Sequence, residues 1–125
     1  MAKVERETTI EFEYESTMRD VGKVRMKLRL LRRTAALVTD IELSKARMLG
    51  GQRAASGKGD MHFEVMATLA NGVEPVPNPN PTNPAAWVDD IMDPDIWYAI
   101  YARWRDYQDS FSAPAEGTDG GQATV

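Results

Sequence analysis

The sequence predicts an α+β fold: an N-terminal antiparallel β-hairpin followed by two to three helices, with a Pro/Asn-rich spacer before the C-terminal aromatic helix. Three observations predict it. Two early segments alternate apolar and charged residues with the period of a strand, later segments space their apolar residues by three and four, and prolines crowd in just before the last of these. With 125 residues, 42% of them hydrophobic, the chain can bury one modest core and is too short for two independent ones.

The first strand is read over Thr8–Glu15, where Ile10, Phe12 and Tyr14 point one way and Glu11, Glu13 and Glu15 the other. A second alternation covers Lys23–Leu30, with Val24, Met26, Leu28 and Leu30 opposite Lys23, Arg25, Lys27 and Arg29. Ser16–Gly22 joins them as a loop longer than a tight hairpin turn. Antiparallel pairing sets the Glu row beside the Lys/Arg row on the solvent face and leaves the apolar rows to form one side of a core.

A helix is predicted over Thr34–Leu49, because Leu37, Val38, Ile41, Met48 and Leu49 share a side and Gly50-Gly51 supplies a stop; Leu43 lies off that face. Gln52–Gly59, rich in Gly, Ala and Ser, reads as a flexible loop. Asp60 then caps a shorter helix to Asn71, with Met61, Val65, Met66 and Leu69 on its apolar face and Asn71-Gly72 at its end. These elements make up a core over residues 1–73. Pro75, Pro77, Pro79, Pro81 and Pro84 interrupt helix and central strand alike, so 74–84 reads as an extended, semi-rigid spacer.

The C-terminal segment, 85–111, opens with a helical turn or two over Ala85–Met92 and continues as an amphipathic helix. Asp93 caps its N-terminus and Pro94 suits the first helical position. Ile96, Ile100, Trp104, Tyr107 and Phe111 recur at spacings of three and four, with Trp97 and Tyr101 widening the stripe and Tyr98, Arg105, Asp106 and Asp109 falling away from it. The stripe reads either as the domain's own core helix or as a partner-binding surface. A tethering spacer favours the second, with Ile96, Trp97, Ile100, Tyr101, Trp104, Tyr107 and Phe111 as the contact set. Residues 112–125 read as a disordered tail.

The side chains offer little catalytic chemistry. His62 is the chain's one histidine and falls among Met61, Val65 and Leu69, which makes it a packed or rim residue rather than a general base. Asp89, Asp90, Asp93 and Asp95 are the densest carboxylates, but Pro94 and the spacing are wrong for a calcium loop, and capping and solvation account for them. The glycines near Lys58 match no nucleotide-binding pattern. No catalytic, cofactor-binding or metal residue is therefore assigned, and no cofactor is expected.

Zero cysteines exclude disulfides and thiolate chemistry within the chain. Without an apolar run near the ~20 residues that span a bilayer, and with a charged MAKVERETT start, a soluble, unsecreted protein is expected. The net charge of −4 hides an asymmetry: residues 1–59 hold 13 Lys/Arg against 8 Asp/Glu, and residues 60–125 hold 2 against 11. The halves can attract within one subunit or head to tail between subunits. The basic row Lys23, Arg25, Lys27 and Arg29, continued by Arg32 and Arg33, could follow a phosphate backbone, but the Glu row beside it and the lack of aromatics on that face oppose nucleic acid.

The element order resembles the tail assembly chaperones of long-tailed bacteriophages. The likeness rests on the hairpin ending in VRMKLRLL (Val24–Leu31), the helix ending at Met48-Leu49-Gly50-Gly51, FEVMATLANGVEP (Phe63–Pro75) and WVDDIMDPDIWYAIYARWRDYQDSF (Trp87–Phe111), and covers most of residues 8–111. It is one of pattern, without a diagnostic motif. The resemblance implies a non-enzymatic protein of the host cytoplasm that binds the tape measure protein and helps recruit the tail-tube protein, often alongside a frameshifted longer form; the width of the aromatic stripe separately predicts a homo-oligomer or a helical partner. A structural tail or connector protein of a phage particle is the main alternative, and a small nucleic-acid-binding regulator the second.

Overall fold

The computed structural model describes residues 6–50 and 57–112, and the side chains of all of these except 57–60. The expected loop at 52–56 and all but the first residue of the expected tail lie outside the described residues. The described chain forms an α+β fold in the order β1 (Glu7–Glu15), β2 (Lys23–Leu31), α1 (Ala35–Leu49), α2 (Gly57–Gly72), β3 (Val73–Pro75), α3 (Ala86–Asp90) and α4 (Pro94–Asp109). None of its helices is long and apolar enough to cross a membrane.

The hairpin takes the register its charges favour. Glu11 lies opposite Lys27, Glu13 opposite Arg25 and Glu15 opposite Lys23. Ion pairs of Glu13 with Arg25 (3.2 Å) and Lys23 (3.6 Å) line the solvent face, each worth a few tenths to ~1 kcal/mol at such exposure. On the other face Phe12, Leu28 and Leu30 are fully covered. Gly22 turns the loop back with a positive φ of 64°, where a β-carbon would be strained, and the Gly22 carbonyl accepts from the Ser16 N–H.

Thr34 caps α1 through its hydroxyl, which accepts from the Leu37 N–H, and Gly50 ends the helix in the left-handed region. α2 starts at Gly57, ahead of the Asp60 start expected, so residues 57–59 belong to helix rather than loop. Its inward residues Val65, Ala67, Thr68 and Leu69 are almost fully buried because α1, α3, α4 and β3 all pack on it. An ion pair between Lys45 and Glu64 and a hydrogen bond from Asn71 to Ser44 fasten α1 to α2.

The first two residues of the spacer expected at 74–84 belong instead to a strand. Val73–Pro75 forms β3, an edge strand antiparallel to β2 with Leu28 opposite Pro75 and Leu30 opposite Val73. An edge strand needs ladder bonds on one side only, so proline's missing N–H is tolerated there. Beyond it the asparagines fold the loop on itself: Asn78 Nδ2 donates to the Pro84 carbonyl, Asn78 Oδ1 accepts from the Asn80 N–H, and Asn80 Oδ1 accepts from Thr82 and the Asn83 N–H. Side-chain amides thus replace the backbone donors that proline removes. The segment after it is not a tethered arm, since Trp87, Val88, Ile96, Ile100 and Trp104 share one core cluster with Phe12, Leu28, Leu30 and Leu69.

Candidate functional site

The aromatic stripe of α4 faces inward. Asp93 caps the helix by accepting from the Asp95 N–H and Pro94 follows at its first turn. Ile96 is 2% exposed, Ile100 0% and Trp104 2%, and Tyr101 is buried beside them. The Trp104 indole N–H donates to the Leu31 carbonyl at 3.2 Å, with the ring lying over Gly72 so closely that a β-carbon there would sit 2.9 Å from its nitrogen. Trp97 is partly covered and donates to the Val88 carbonyl. Tyr107 packs on the core edge, and Phe111 meets it edge to face at 4.9 Å while Arg32 lies 3.8 Å above the Phe111 ring. Of the seven residues expected to meet a partner, then, four are inside the chain's own core. Ile100 is wholly covered, whereas Ile96 touches one surface opening and Tyr101 and Trp104 another, so the stripe as a whole is not a free docking face.

Gln108 belongs to this arrangement and was missed in the sequence. Its amide is 6% exposed, donates to the Leu31 carbonyl at 2.9 Å and accepts from the Arg33 N–H at 2.7 Å, holding the chain where β2 ends. The signal was present: Gln108 stands four residues after Trp104, on the buried stripe itself.

His62 sits in a half-buried ring cluster, 5.3 Å from Trp97 by ring centroids, with Nδ1 3.4 Å from the Tyr98 hydroxyl. Nearby, a polar basin of about 170 Å³ opens over Tyr101 and Trp104, walled by Arg33, Glu42, Glu64 and Arg105. Arg105 donates to the Tyr101 hydroxyl, which raises its pKa above the ordinary arginine value, so it stays charged. Two acids and two bases line this basin, with Glu64 held by Lys45 at 3.4 Å.

A second opening has a different character. Between the hairpin loop and the α3–α4 link lies a mainly apolar groove of about 230 Å³. Val21, Val24 and Met26 form one wall and Ile91, Met92 and Ile96 the other, with Asp20 and Asp90 at its edge. Met92 is 66% exposed, and Met18 of the same hairpin loop is also uncovered. The walls are fixed to each other: buried Asp93 accepts a 2.5 Å hydrogen bond from the Ser16 hydroxyl, so one carboxylate caps α4 and anchors the loop. Such a groove needs no closure to receive a ligand, only an apolar side chain of suitable size.

Compared with known proteins, the chain matches no family model, no curated protein and no solved structure.

Proposed function

We propose that the protein is a non-enzymatic tail assembly chaperone of a bacteriophage, which binds the tape measure protein in the host cytoplasm and assists assembly of the tail tube. The observation that carries this reading is the open, mainly apolar groove between the hairpin and the α3–α4 link. A chaperone for a long apolar helix needs a place where one apolar side chain after another can be sheltered, and a rigid frame around it. The groove between Val24 and Ile91 offers the place, and the Ser16–Asp93 bond offers the frame. The sequence resemblance over residues 8–111 supplies the identity of the client. With the aromatic stripe committed to the core, binding falls to the groove and the partly covered Trp97.

Coexpression with the long coiled-coil product of a neighbouring reading frame tests the proposal. That client stays soluble only when this protein is present, and finished particles lack the protein. Its presence in purified particles at a fixed stoichiometry would replace the chaperone with a structural tail component.

A further inference from the structure

The rim of the apolar groove narrows what its occupant can be. Asp20 comes from the hairpin loop and Asp90 from the end of α3, and Asp89 and Asp95 adjoin the lining residues Asp90 and Ile96. Among the described residues no cation lies within ion-pair distance of these four carboxylates. Of the strand cations nearest in sequence, Lys23 and Arg25 pair with Glu13 and Arg29 with Glu7 and Glu74, while Lys27 stands opposite Glu11 in the ladder. Arg19, beside Asp20, is the one exposed cation in the loop. The groove is thus apolar inside and net acidic at its edge.

Its size sets a second limit. A dry cavity of about 150 Å³ accepts a benzene ring, so about 230 Å³ takes one aromatic or large aliphatic side chain and not a whole helix. The rest of the occupant lies across the rim, where its charge decides the outcome.

We infer that the groove binds an amphipathic helical segment of a partner protein, which inserts one large apolar side chain between Val24 and Ile91 and sets lysine or arginine against Asp20 and Asp90. The inference rests on the reading of the groove as the client site and adds the chemistry of the client. Complementary charge selects among apolar helices that would otherwise fit alike, and like charge on the rim excludes acidic ones.

The test uses the full chain and labelled helical peptides of about 20 residues, roughly 30 Å long. One carries a phenylalanine anchor flanked by lysines, the second replaces the lysines with glutamates, and the third replaces the anchor with alanine. At roughly 0.15 M salt, fluorescence anisotropy is expected to show the lysine peptide binding at least about tenfold tighter than either of the others. A photo-crosslinker at the anchor labels residues 20–26 and 90–96. The double variant Asp20→Asn, Asp90→Asn unfolds at the same urea concentration as the parent but loses most of the preference for lysine over glutamate.

Equal binding of the lysine and glutamate peptides, crosslinking elsewhere, or no binding by any peptide overturns the inference. So does a dimer of the free protein that dissociates in the double variant, because a second copy then fills the groove. The chaperone reading fails separately. If the double variant still keeps the tape measure protein soluble, the chaperone stands without the charge rule; if the lysine preference holds but the parent protein leaves that client insoluble, the groove stands without the chaperone.

Discussion

Trp104 ties several elements together: it is buried, donates to Leu31, stacks at 6.1 Å with Tyr101 and closes over Gly72. Trp104→Ala is expected to cost about 3–5 kcal/mol, a large share of a small domain's stability, and to be read as a lowered urea midpoint of the monomer. An unchanged midpoint with weakened self-association would return the stripe to a docking role. Gly72→Ala sets two effects against each other. Alanine gains up to ~1 kcal/mol of helix propensity, but its methyl meets a ring that is buried and hydrogen-bonded, and overpacking costs typically 1–3 kcal/mol. A net loss is therefore expected, and a net gain would mean that Trp104 yields easily. Asp93→Ala removes a cap worth about 1 kcal/mol and strands the Ser16 hydroxyl. The expected readout is a lower urea midpoint together with faster exchange of the Asp95 amide. At this scale the sequence was partly legible: Asp93 and Pro94 announced the helix start because capping is local, whereas Gln108 looked like one more exposed polar residue because its partners, Leu31 and Arg33, are more than 70 positions away.

Among the elements, legibility follows the range of the forces. The hairpin was readable nearly to the residue, since period-two alternation and facing charge rows act between neighbours, and the observed strands differ from the expected ones by one residue each. α1 was readable from Thr34 and Gly50 for the same reason. The Pro/Asn segment was not, because its role depends on β2: Glu74 gains order from Arg29 at 2.6 Å, and the Val76 N–H donates to the Lys27 carbonyl. The Glu74 carboxylate also raises the Arg29 pKa above its ordinary value, so this strand-to-strand pair keeps its cation at any working pH. Nor could α4 reveal which way its stripe faces, because the answer lies in α2, which packs against α4 and has Val65, Thr68 and Leu69 buried. Amide exchange checks the corrected segment: Glu74 and Val76 are expected to be protected like β2, and Asn78→Ala to raise proteolysis within 77–84 while costing about 1 kcal/mol, the net worth of one of its hydrogen bonds. Fast exchange at Val76 in the parent protein would restore the spacer.

For the whole molecule, the basic and acidic halves meet within the chain at the ion pairs Arg29–Glu74 and Lys45–Glu64. Lys23, Arg25 and Arg29 also meet glutamates of their own hairpin. Three cations of the basic row are thus paired with carboxylates, and the chain carries a net charge of −4. A polyanion would have to displace Glu13 from Arg25 and Glu7 and Glu74 from Arg29 while approaching a protein of its own sign. Duplex and single-stranded oligonucleotides titrated at roughly 0.15 M salt, where exposed charges are screened beyond about 8 Å, are therefore expected to bind weakly, without sequence preference, and to dissociate steeply as salt rises. Arg25→Glu should change little, since Arg25 is already paired with Glu13. Submicromolar, sequence-selective binding abolished by that substitution would establish a nucleic-acid regulator in place of a chaperone, because only a phosphate or base contact made by Arg25 itself gives that pattern.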